Sequence, residues 1–465
     1  MRQDLHAVRG PHHRRSPHRR SHPGNPHALH DSREGIANMS ALRESLGFLT
    51  SRLRQVGIFV ALILIVILFQ VLTDGILLQP QNVTNLVVQN SYILILAIGM
   101  VMVIIAGHID LSVGSIAGFI GAVAGVMIVH WGWAWWLAIP ACLLVGALVG
   151  AWQGYWIAYV GIPAFIVTLA GMLIFRGLTL ITLKNQQITP FPNELRALGG
   201  GFLPDISGGT SVLEWLTVIL GVGGTAAILF QAIKERRVRR KFNLENEPMA
   251  WFAVKNGFIA VLMLIITFLL ASYRGTPIVL IVLAVLVIVY SALMNNSIFG
   301  RHTYAIGGNL HAAELSGIKT KKVTFRLFVN MGVLAALAGL VFTARLNSAQ
   351  PAGGTGFELD SIAAAFIGGA AVQGGIGTVA GAMIGGLIMG VLNNGMSILG
   401  LGTDYQQLIK GLVLLLAVGF DIFNKNRTGS GGGSSVGRRF KWKTTPPATE
   451  TSTPAKPEPV VVDAK

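Results

Sequence analysis

The chain has 465 residues and a net charge of +16, yet only 12% of it is charged while 52% is hydrophobic, with a mean hydropathy of +0.62. Soluble domains carry about 25% charged residues, so this chain cannot coat a water-facing surface, and a soluble enzyme or binding module is excluded. The surplus of Lys and Arg does not point to a nucleic-acid partner either. It gathers in the tails and two loops, as the positive-inside bias of a membrane protein arranges it.

Residues 1–50 open the chain as a basic, His-rich segment with seven of the eleven histidines, His6 to His30. Such a segment cannot bury a core and is expected to be a disordered cytoplasmic tail. The irregular His spacing, with Arg interleaved, gives no ordinary metal site, and Met39 opens a more usual membrane-protein start. The first apolar run lies too deep, and lacks the small-residue cleavage site, for a removable signal.

Apolar runs follow at 56–72, 86–106, 112–130, 134–152, 163–183, 213–231, 256–272, 276–294, 326–344, 359–373, 377–397 and 407–423. A hydrocarbon core of about 30 Å takes roughly 20 helical residues. The expected fold is therefore all-α, a polytopic transmembrane helix bundle of 10–12 segments over residues 51–425. The short, Gly/Ala-rich run 359–373 reads as a half-helix or re-entrant segment. Residues 426–465 pass through Gly and Ser into a Thr/Pro-rich stretch and read as a disordered, flexible tail.

Charge sets the orientation. Arg52 and Arg54, the cluster Lys234, Arg236, Arg237, Arg239, Arg240 and Lys241, the loop 295–325 and the C-terminal tail are all basic, whereas 73–85, 184–212 and 345–358 are poor in Lys and Arg. Both termini are then cytoplasmic. Glycines recur four apart at Gly114/Gly118, Gly121/Gly125, Gly146/Gly150/Gly154 and Gly377/Gly381/Gly385, the stripe that lets helices approach closely in lipid. Cys142, the lone cysteine, has no disulfide partner and reads as a small buried hydrophobe.

The chain has no Gly-x-x-x-x-Gly-Lys-Ser/Thr loop to cradle ATP. Gly375-Ile376-Gly377 only superficially matches a dinucleotide fingerprint, since no strand feeds it and no acidic residue follows at the needed distance. Ionisable residues near the apolar runs are few: His108, Asp110, Arg176, Asp360 and Lys410. Asp110, with Ser112 beside it, either caps the following helix or lines and gates a path. His108 and Asp110 lack further ligands for a metal. The segment from Asp110 to Gly121 also faintly echoes Asp360 to Gly368, as in transporters built of two repeats. Around Glu314, the residues Ala312, Ala313 and Leu315 form a short helix ended by Gly317, either a plain connection or a lever for a partner.

Several stretches resemble the permeases of bacterial ABC importers for monosaccharides. They are Ala106-Gly107-His108-Ile109-Asp110-Leu111-Ser112, Gly161-Ile162-Pro163-Ala164-Phe165-Ile166-Val167-Thr168, Phe175-Arg176-Gly177, Ala305-Ile306-Gly307-Gly308-Asn309 through Ser316-Gly317-Ile318, and the glycine-rich 367–395. The extra length at 184–255 is similar to the xylose-type branch. The resemblance implies a homodimer seated on two ATPase subunits and loaded by a periplasmic sugar-binding protein. It also implies alternating access across the bacterial inner membrane, with ATP and Mg used by the partner ATPase and no cofactor on this chain. The ATPase-coupling loop would then be Gly308, Asn309, Ala312, Ala313, Glu314, Ser316 and Gly317. For the translocation path, an aromatic face with hydroxyl and amide groups suits a sugar ring, which selects Phe165, Thr168, Asn393 and Asn394 beside Asp110 and Ser112. Phe165 is otherwise a core residue and the Asn pair a helix contact. A branched-chain amino-acid permease and an ion-coupled secondary carrier are the rival readings.

Overall fold

The computed structural model describes residues 57–204, 213–244 and 247–428. The expected tails fall outside these, apart from the last residues before 428. Each of the twelve apolar runs contains one helix: α1 (57–72), α2 (Pro80–Ile105), α3 (Val113–His130), α4 (Trp135–Val160), α5 (Ala164–Leu183), α7 (Trp215–Lys241), α8 (Met249–Ala271), α9 (Ile278–Asn296), α12 (Thr320–Leu346), α13 (Phe357–Ile367), α14 (Val379–Ile398) and α15 (Thr403–Thr428). Short helices α6 (Asn193–Gly200), α10 (Ile298–Gly308) and α11 (Leu310–Leu315) lie between them. Among the described residues, nine helices are long and apolar enough to cross a membrane. The run 359–373 is the 11-residue α13 followed by a turn-rich loop. α3 and α4 each end in a π-helical turn.

The chain divides into two units, 1–418 and 419–465; the described part of the second, 419–428, is the end of α15. In the first unit the centre is α2 and α12. Residues Ile93 to Ile105 of α2 are all buried, whichever way they point, as befits a helix surrounded by others. α12 packs against α2, α3 and α4, and α2 against α13 and α14. Glycine makes these contacts possible: a methyl at Gly146 would strike Ala336 and the Gly332 carbonyl, and one at Gly150 the Phe328 carbonyl. Close backbone approach of this kind gives dispersion contacts where lipid offers no hydrophobic drive.

α7 and α8 form a hairpin at the periphery, with most of α7 exposed and only Thr217 and Thr225 buried. Its entry and exit are clipped together by backbone bonds, Leu203 N–H to the Thr276 carbonyl and Ile278 N–H to the Gly201 carbonyl, both 3.0 Å.

Candidate functional site: two breaks and a coupling junction

Two non-helical stretches interrupt the bundle: 106–112 between α2 and α3, and 368–378 between α13 and α14. In the first, Asp110 is 1% exposed. Its Oδ1 accepts from the Ser112 N–H at 2.8 Å and the Ser112 hydroxyl at 2.6 Å. Gln153, buried in α4, donates from Nε2 to Ser112 Oγ at 2.7 Å. The carboxylate thus fixes the turn into α3, and Gln153 ties that turn to α4. Thr168 on α5 is buried and donates to the Ile109 carbonyl at 3.4 Å, so three of the sequence candidates meet here. Phe165, one turn earlier, shares the Thr168 hydroxyl through its carbonyl at 3.4 Å, but its side chain is 57% exposed on the outer face of α5 and does not join them.

A second polar cluster lies across the bundle. Lys410 of α15 pairs with Asp360 of α13 at 3.1 Å, the carboxylate side chain only 9% exposed. Asn393 of α14 donates to Asn90 Oδ1 of α2 at 3.4 Å, and Asn394 is buried beside it. Arg176 on α5 donates to Thr355 Oγ1 at 2.6 Å. The described residues hold no cluster of three His, Cys, Asp or Glu able to bind a metal.

The segment 298–318 folds as two short helices joined at Asn309, whose side chain accepts from Ala312 N–H at 3.0 Å. α11 ends where Gly317 takes a left-handed φ of +81° and Ile318 N–H reaches back to the Ala313 carbonyl, a glycine-dependent helix stop. Of the expected coupling residues, Ala313 alone turns inward, packing with Ile306 and Val323. Gly308, Asn309, Ala312, Glu314, Ser316 and Gly317 are exposed, and Leu315 beside them is 91% exposed. Glu314 accepts from the Thr320 hydroxyl at 3.1 Å, tying α11 to the start of α12.

Sequence reasoning missed what lies behind this element. A methyl on Gly307, near the end of α10, would collide with the Ile105 carbonyl that closes α2. That carbonyl accepts from Gly375 N–H at 2.8 Å, and the Tyr304 hydroxyl donates to the Gly377 carbonyl at 2.8 Å. One short helix therefore touches both breaks. The Gly375-Ile376-Gly377 run was the visible signal: Gly375, with Gly374 before it, makes the left-handed turn (φ +74° and +83°) and lies against Gly308 of α10, while Gly377 lies against the Ile105 and Val101 side chains of α2.

Comparison with known proteins places these features in context. A family model described as the permease component of branched-chain amino acid transport systems matches residues 82–418. The xylose transport system permease protein XylH of Haemophilus influenzae is 42% identical over 368 residues, 79% of this chain and 96% of the relative. XylH of Escherichia coli K12 is 39% identical over 391 residues, 83% and 97% of the two chains. The ribose import permease protein RbsC of Haemophilus influenzae is 33% identical over 364 residues, 77% and 90%. No solved structure matches.

Proposed function

The chain belongs to the family of permease components typified by branched-chain amino acid transport systems, and from that premise we propose that it is the membrane-spanning subunit of an ATP-driven importer of a monosaccharide, xylose first among them. It is a multi-pass transport subunit. The sugar reading rests on relatives named for xylose and ribose transport that run nearly their whole length alongside this chain. In this reading the partners are an ATPase that uses ATP and Mg, a periplasmic sugar-binding protein and a second copy of the chain. Both termini and the α10–α11 end face the cytoplasm of the inner membrane.

The observation that carries the mechanism is the contact of α10 with both breaks through Gly307, Tyr304, Ile105, Gly375 and Gly377. An ATPase gripping the exposed face of α11 around Leu315 pulls on α10 and, through Ala313, on α12. The ends of α2 and α14 follow, and the turn held by Asp110 moves with the first. Packing this close transmits displacement instead of absorbing it. The outward face of α5 at Phe165 is then the wall offered to the second copy, so that a path forms between protomers.

The test is xylose uptake into proteoliposomes holding this chain, its ATPase and its loaded binding protein. Leu315→Asp leaves folding within about 0.5 kcal/mol, as expected of an exposed position, but abolishes ATP-dependent uptake. Gly307→Val loses both uptake and thermal stability, because backbone stands where its side chain must go. Uptake that ignores ATP and follows an ion gradient sinks the proposal. ATPase stimulation only by a binding protein loaded with an amino acid keeps the machine and replaces the cargo.

A further inference from the structure

The peripheral hairpin carries a charge pattern that the transport cycle does not use. Between residues 234 and 255 there are seven cations and three carboxylates. Three of the cations bond within the hairpin. Arg236 donates to the Glu247 carbonyl at 2.8 Å and lies 4.7 Å over the Phe252 ring. Arg239 pairs with Glu235 at 3.0 Å, and Lys255 with Glu247 at 2.9 Å. The side chains of Lys234, Arg237, Arg240 and Lys241 are exposed and have no hydrogen bond or ion pair to any described residue.

Their placement is ordered. At about 100° per residue the four fall within an arc of roughly 120° on α7. Phe230, 67% exposed, lies one turn before Lys234 on that arc, with exposed Ile233 and Val238 at its flanks. The 20 residues from Trp215 to Lys234 cover about 30 Å, the thickness of the hydrocarbon core. Lys234 therefore stands at the boundary, and the other three rise one to two turns beyond it, at headgroup depth. α7, α8 and α9 alternate in direction, so this end lies on the same side as α10 and α11.

We propose that the Lys234–Lys241 end of α7 binds the phosphate diester of an anionic phospholipid, with the acyl chains lying against Phe230 and Ile233. A soluble phosphate would meet the cations but not the apolar face below them. An acidic protein surface would leave that face in lipid with no part in the contact. Each such near-surface cation contributes about 1 kcal/mol, a factor of about five, so losing all four weakens the preference by roughly several hundredfold. The proposal stands apart from the identity of the cargo.

The experiment places an environment-sensitive fluorophore at Val238→Cys; native Cys142 is 0% exposed and stays unlabelled. The protein is reconstituted in nanodiscs with brominated phosphatidylglycerol or brominated phosphatidylcholine at the same mole fraction. The expected result is severalfold stronger quenching by the anionic lipid. Combined Lys234→Gln, Arg237→Gln, Arg240→Gln and Lys241→Gln removes that preference, whereas combined Lys319→Gln, Lys321→Gln and Lys322→Gln keeps it. Should the quadruple variant fail to insert, raised salt applied to the unsubstituted charges must still lower the preference. Equal quenching by the two lipids overturns the proposal. So does a preference erased by inorganic phosphate at matched ionic strength, or a quadruple variant that keeps its lipid preference and loses only ATPase association.

Discussion

Asp110 and Asp360 each sit beside the start of a helix that follows a break or turn, α3 and α13, yet they are held by different chemistry. Asp110 pairs with no cation among the described residues; its partners are the Ser112 backbone N–H, the Ser112 hydroxyl and, through that hydroxyl, Gln153. Asp360 is held by the Lys410 ammonium at 3.1 Å. The first arrangement is directional, since hydroxyl and amide bonds fail when misaligned. The second is a charge balance, which tolerates sliding but not the loss of a partner. The two halves of the bundle therefore resist different insults, a shift in geometry at α3 and a change of charge at α13.

Lys410→Met should have the largest effect, because it strands a mostly buried carboxylate; a loss on the order of 3 kcal/mol would show as a lower thermal midpoint in detergent. Adding Asp360→Asn should recover most of it. If the double variant is no better than the single one, the pair is not a charge balance and the contrast fails. Asp110→Ala should cost about 2 kcal/mol through two buried donors left unpaired, and Asp110→Asn clearly less, because an acceptor oxygen remains. Equal losses for the two substitutions would mean that charge, not geometry, matters at Asp110 as well. Gln153→Leu should cost about 1 kcal/mol, the value of one neutral bond, and reduce uptake more than stability if the tie to α4 guides the turn. A loss confined to stability would reduce Gln153 to packing.

The helices were legible because a membrane demands long apolar runs and Gly-spaced faces, and both survive in one dimension. The Gly317 stop and the helix around Glu314 were legible too, because caps are local chemistry. Asp110 and Ser112 could be read as a pair, being two residues apart. Gln153 could not: it lies 41 residues from Ser112, one position past the apolar run 134–152, where it reads as an ordinary polar residue at a span end. The same holds for Gly307 against Ile105 and for Lys410 with Asp360, which only the packing of α2, α10, α13 and α15 brings together. Phe165 and Thr168 read alike as path candidates, but composition does not say which side of α5 faces the bundle: the Thr168 side chain is buried against the Asp110 turn and that of Phe165 points away from it.

The clip that joins Gly201 and Leu203 to Thr276 and Ile278 bears on how such a chain changes length over evolutionary time. The α7–α8 hairpin leaves and re-enters the bundle at one spot that is already hydrogen-bonded shut. Residues there can be gained or lost as a cassette while the reading of every other helix stays in register. An edit confined to the graft therefore leaves the packing of α12 on α2, α3 and α4 as it is.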